Sequence, residues 1–162
     1  MNAKIFSMLT VVTLTLAGSP ALADWQYTHW GMTPEEVLAA APNPIGRPDK
    51  ADFYDESANL AHLLTSTYSV GDLSFQVQFI FHDLESLAAV RLVPYMNNCT
   101  QLERILTDTY GAPERGDERR GDIRFLQWWD GQSENVVMYF VAFGDCSIMY
   151  REHGTPGAVG GL

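Results

Sequence analysis

Residues 60–82 limit the fold more than any other stretch. They read as two strands, 60–70 and 73–82, joined at Gly71-Asp72, a dipeptide compatible with a two-residue hairpin turn. With Val70 opposite Leu73, Tyr68 meets Phe75, Ser66 meets Val77, Leu64 meets Phe79 and His62 meets Phe81. The alternate set pairs Ser69 with Ser74, Thr67 with Gln76, Thr65 with Gln78 and Leu63 with Ile80. One face is apolar and the other mostly polar in both strands independently. A slip of one residue would destroy that agreement, so the pattern specifies an antiparallel pair with one buried face. His62 then lies beside the core edge as a packed histidine.

Helices flank this pair. In Trp30-Gly31-Met32-Thr33-Pro34-Glu35-Glu36-Val37, Thr33 is a good N-cap and Pro34 suits the first helical position. Glu36 completes a capping box, with Met32 and Val37 spaced as a hydrophobic staple. This first helix runs from Pro34 to about Ala41 and stops at Pro42 and Pro44. A similar start recurs at Asn98-Cys99-Thr100-Gln101-Leu102-Glu103. The second helix carries Leu102, Ile105, Leu106 and Tyr110 as one stripe, with Gly111 as C-cap and Pro113 as the stop.

The other strands are 87–93, about 123–129, 135–143 and 145–151, with turns at Asp130-Gly131 and Gly144-Asp145. Asp24 to His29 is an aromatic edge segment, 43–57 an irregular connection, and 114–122 a charged, solvated connector. The expected class is α+β: two repeats of a short helix packed on an antiparallel sheet (αβββ-αβββ), about 29–94 and 95–152, in one domain over 24–152. Residues 153–162 read as a flexible tail with no means of packing.

The first 23 residues have the form of a secretory signal peptide: Lys4, an apolar stretch from Ile5 to Ala17, and Ala21-Leu22-Ala23 before Asp24. The expected location is periplasmic or secreted, without a stable membrane anchor. No cysteine lies near the cleavage point, and no later run is apolar enough to cross a bilayer. Beyond this segment 20 acidic side chains face 9 basic ones. That balance argues against nucleic acid, whose phosphates need a basic footprint, and against anionic lipid.

Cys99 and Cys146 are the two cysteines, and an oxidising destination favours their pairing. A catalytic thiol would need a base, and neither cysteine has a histidine nearby in sequence. A zinc site would need two more ligands from four scattered histidines. The turn His82-Asp83-Leu84-Glu85 has metal-ligand types but also the composition of an ordinary exposed turn. No metal and no cofactor is expected.

If Cys99 opens the second helix and bonds Cys146, then Cys146, Ile148 and Tyr150 face that helix. Pairing Phe143 with Cys146, Val141 with Ile148 and Val137 with Leu126 extends this layer. The opposite face then holds Ile123, Phe125, Gln127, Trp129, Val136, Met138, Phe140 and Met149. Such a face is too apolar for open water, whereas the first sheet has no such second face. Either the chain's own segments cover it, or it meets a protein partner or a second protomer. Phe125, Gln127, Trp129, Val136, Met138 and Phe140 are the candidate binding residues.

No nucleophile elbow, HExxH, P-loop, dinucleotide glycine pattern or CxxC is present, so no catalytic residue is assigned. The expectation is a non-enzymatic binding or inhibitor-type module with an unidentified protein partner. The alternatives are an envelope-assembly or structural protein, or a hydrolase with an active site outside known motifs. The Trp30-Gly31-Met32-Thr33 helix start resembles that of SmpA/OmlA-type outer-membrane assembly lipoproteins. So do the Tyr110-Gly111-Ala112-Pro113 stop and the strand Phe79-Ile80-Phe81 running on to Leu87 and Val90. The doubled helix-plus-sheet layout resembles the beta-lactamase inhibitor protein, whose tandem units grip an enzyme with a sheet face. The chain lacks the lipidation cysteine of the lipoproteins.

Overall fold

The computed structural model describes residues 24–48, 52–55, 59–116 and 121–153. The signal-peptide reading and residues 154–162 of the tail lie outside them. The architecture is α+β. Strands β3 (Asp52–Asp55), β4 (Leu60–Val70), β5 (Leu73–His82) and β6 (Ser86–Pro94) precede helix α2 (Cys99–Tyr110). Strands β7 (Arg115–Gly116), β8 (Ile123–Asp130), β9 (Asn135–Ala142) and β10 (Asp145–Glu152) follow it. A small hairpin, β1 (Asp24–Trp25) with β2 (Thr28–His29), and helix α1 (Pro34–Ala40) open the described chain.

The two expected repeats are not separate units, because their strands form one antiparallel sheet of order β3-β4-β5-β6-β10-β9-β8-β7. The seam is β6 against β10, with Leu92 opposite Ile148 and Val90 opposite Tyr150. Each strand would otherwise expose an edge of unpaired N–H and C=O groups, and joining satisfies both. Both helices lie on the same face. Val37 of α1 and Leu102 and Leu106 of α2 share one core with Leu64, Phe79, Val90, Trp128, Tyr139 and Ile148.

Helix α1 starts as its sequence requires. The Glu36 amide donates to Thr33 Oγ1 at 3.3 Å, and the Thr33 amide donates to Glu36 Oε2 at 2.8 Å. The Thr33 amide and, beside it, the Thr33 hydroxyl both donate to the Glu36 carboxylate and hold it below the usual carboxylate range. The second start differs, because Asn98 makes no side-chain capping bond. The Cys99–Cys146 disulfide ties this helix end to β10, with Cα atoms 5.7 Å apart. At the other end the Gly111 amide bonds Thr107 O, and the Trp128 indole donates to Gly111 O at 2.9 Å. Leu102 and Leu106 are buried, whereas Ile105 is exposed at the flank of the stripe.

Several expected pairings are corrected. Val70 to Leu64 pair with β5 as read, but the register shifts at Leu63, so His62 meets Ile80 and Ala61 meets Phe81. A one-residue bulge turns every following side chain to the other face. His62 therefore points away from the helices, buried, with Nε2 3.0 Å from Leu64 O and 2.7 Å from Thr65 Oγ1. The β9–β10 turn is Phe143-Gly144, both at positive φ, so Val141 meets Cys146 and Tyr139 meets Ile148. A four-residue turn before β9 places Val137 opposite Trp128. Both registers differ from expectation by two residues, which preserves the faces because the side-chain period is two.

Three connections are more ordered than expected. The opening segment folds back as its own hairpin and packs Trp25 edge-on to Tyr68 and Phe79, inside the core rather than along the sheet edge. The 43–57 stretch contributes a two-way backbone bridge, Gly46 with Thr65, and β3 on the sheet edge. Arg115-Gly116 of the charged connector pairs with β8. A Cβ on Gly116 would lie 2.2 Å from Phe125 O, so only glycine permits that approach. Among the described residues no helix is long and apolar enough to cross a membrane.

Candidate functional site

The face of the sheet turned away from both helices is built by alternation along β8, β9 and β10. Cross-strand pairing arranges its side chains in rows. Phe125 lies opposite Phe140, and Phe140 opposite Ser147. Gln127, Met138, Met149, Arg91 and Gln78 form a second row. Trp129, Val136, Arg151, Ala89, Ile80 and His62 form a third. The third row crosses the β6–β10 seam, so β5 and β6 also contribute apolar side chains to this face. The expectation that the N-terminal strands lack an apolar second face is corrected by Ile80 and Ala89.

This face has its own apolar cluster, distinct from the core beneath the helices. Ile80, Ala89, Val136, Met138 and Met149 are its buried members, with Leu60, Phe125, Trp129 and Phe140 half-buried around them. The six candidate residues therefore divide. Val136 and Met138, 4% and 2% exposed, form the floor, while Phe125, Gln127, Trp129 and Phe140 keep accessible surface. The Phe125 and Phe140 rings are 5.0 Å apart and tilted by 45°. His153, expected in a tail that packs on nothing, sets its ring 4.2 Å from Trp129 in an edge-on arrangement. Parity along β10 from Met149 through Arg151 points His153 to this face and was the signal available for it.

Electrostatics on the two faces differ. Arg151 is buried among apolar neighbours, and desolvation pulls its guanidinium below the usual arginine range. On the helix face, burial raises the Tyr139 phenol to about 12, and its hydroxyl donates to Cys99 O at 2.6 Å. Burial likewise raises Tyr150 and Tyr110, which are hydrogen-bonded to each other. Arg124 and Glu103 form an ion pair between β8 and α2. These helix-face groups are held in structural contacts.

The turn His82-Asp83-Leu84-Glu85, which has metal-ligand residue types, is engaged internally. His82 Nδ1 is 2.9 Å from Asp83 Oδ2, and Asn59 Nδ2 donates to Asp83 Oδ1. Among the described residues no group of three or more His, Cys, Asp or Glu is placed to hold a metal ion. Both cysteines are consumed by the disulfide, which removes the catalytic-thiol alternative. Comparison of the chain with family models, with curated proteins and with solved structures finds no match.

Proposed function

We propose that the chain is an exported, non-enzymatic binding protein of inhibitor type. It grips a protein partner with the sheet face turned away from the helices. Phe125, Gln127, Trp129 and Phe140 make the contact over the floor formed by Val136 and Met138. The observation that carries this reading is the second apolar cluster, with three half-buried aromatic rings at its margin and both described helices packed on the other face. Aromatic side chains on a preformed surface supply large contact area at low ordering cost.

The test is affinity capture from the native envelope fraction with the wild type and with Trp129→Ala. A partner captured by the wild type should bind the variant about tenfold or more weakly, as for a central interface aromatic. Thermal melts of the free proteins separate this from unfolding. Equal capture by a folded Trp129→Ala would overturn the reading, and a Trp129-dependent dimer would make the partner a second copy.

A further inference from the structure

Of the six described large apolar side chains that remain exposed, Leu84 and Ile105 lie apart and the other four gather together. Val70 is 51% exposed, Tyr95 60%, Met96 71% and Phe143 81%. Strand order places all four at one end of the sheet. The β4–β5 turn, the 95–98 loop after β6 and the β9–β10 turn all leave that end. Local bonds hold the three together. The Tyr95 amide donates to Ser74 O at 3.0 Å beside the first turn, and Asn97 Nδ2 donates to Gly144 O at 2.7 Å in the last. The Cys99–Cys146 disulfide closes the same corner covalently.

Phe143 is unfavourable here on two independent counts. Its φ is 54°, a left-handed backbone that suits Asn, Asp or Gly and disfavours a bulky side chain. Its ring is the most exposed of these side chains. The turn needs that backbone but not a phenylalanine in it, and a strained, exposed aromatic ring is what a contact surface retains. Asp72 and Asp145 are exposed at the same end, and residues 71–72, 95–98 and 143–145 carry no Lys or Arg.

We propose that this end of the sheet is a docking ridge, separate from the Trp129 face, that enters a cation-lined concave surface of a partner protein. Phe143 and Met96 are its apolar anchors, while Asp72 and Asp145 meet the partner's basic groups. Exposed side chains on all three connections call for a partner surface that encloses them. Two carboxylates, Asp72 and Asp145, on a chain of net charge −10 select a basic one. The same charge opposes pairing with a second copy or with anionic lipid. The disulfide and the Asn97 bond hold the connections in place before contact, which lowers the ordering cost of binding.

The test is selection of a phage-displayed library of cyclic peptides on the immobilised, oxidised protein. Enriched peptides should combine Arg or Lys with an apolar residue. Their affinity should fall about tenfold or more for Phe143→Asn and for Asp145→Lys, and stay unchanged for Trp129→Ala. Phe143→Asn should meanwhile melt no lower than the wild type, because Asn accepts the left-handed backbone. Enrichment of peptides without cations, or binding that survives both ridge substitutions, would overturn the proposal. So would a failure to enrich, Phe143-dependent binding to phosphatidylcholine vesicles, or Phe143-dependent dimerisation in sedimentation.

Discussion

Trp128 and Trp129 are adjacent in sequence and lie on opposite faces of β8. Trp128 is 1% exposed in the main core and donates to Gly111 O, so Trp128→Ala leaves a cavity and an unpaired carbonyl. It should cost about 3–5 kcal/mol in chemical denaturation. Trp129→Ala, on the half-buried margin of the second cluster, should cost less than half as much. Equal losses would show that Trp129 belongs to the core. At Thr33 the expected loss on substitution by Ala is about 1 kcal/mol, from removal of the cap. The Glu36 contribution depends on pH in a defined direction. Its folded pKa lies below the unfolded value of 4.5, so its stabilisation is fully present above that value. It disappears as pH falls through the lower folded value. The gap in melting temperature between wild type and Glu36→Ala should therefore close on acidification; a gap independent of pH would exclude the capping carboxylate as its cause.

The elements show where periodic reading works and where it stops. Strands 60–70 and 73–82 were legible to the residue because two alternating patterns had to agree across one turn. The bulge at Leu63 was not, because alternation on one strand carries no signal for an extra residue. The two-residue errors at the β8–β9 and β9–β10 turns escaped for a related reason. Parity fixes the face, whereas turn geometry fixes the register. The candidate face could therefore be named from alternation although its pairings were wrong. The disulfide was legible from the presence of two cysteines in a chain whose first residues read as an export signal, and it closes a separation of 47 residues. It should stabilise by up to about 4 kcal/mol on the chain-entropy model. Thiol titration of the denatured, unreduced protein should find no free cysteine.

At the scale of the molecule the β6–β10 seam joins all the long strands into one sheet, and the core beneath it is continuous across the seam. Unfolding should therefore be a single transition. Tryptophan fluorescence and far-ultraviolet circular dichroism should give coincident denaturation curves. Two separated transitions would restore the two-unit organisation expected from sequence. Capping chemistry, strand alternation and the helix stripes are local patterns, each specified within a few turns of chain, and the sequence determined them by itself, as it did the cysteine pair by holding only two cysteines. The tertiary structure decided how the strand edges meet, which half-buried rings stay accessible on the outer face, and which turns gather at one sheet end. Those outcomes depend on contacts between segments far apart in the chain. Backbone satisfaction at an open sheet edge drives such contacts whatever the local side-chain pattern, so no window of sequence records them.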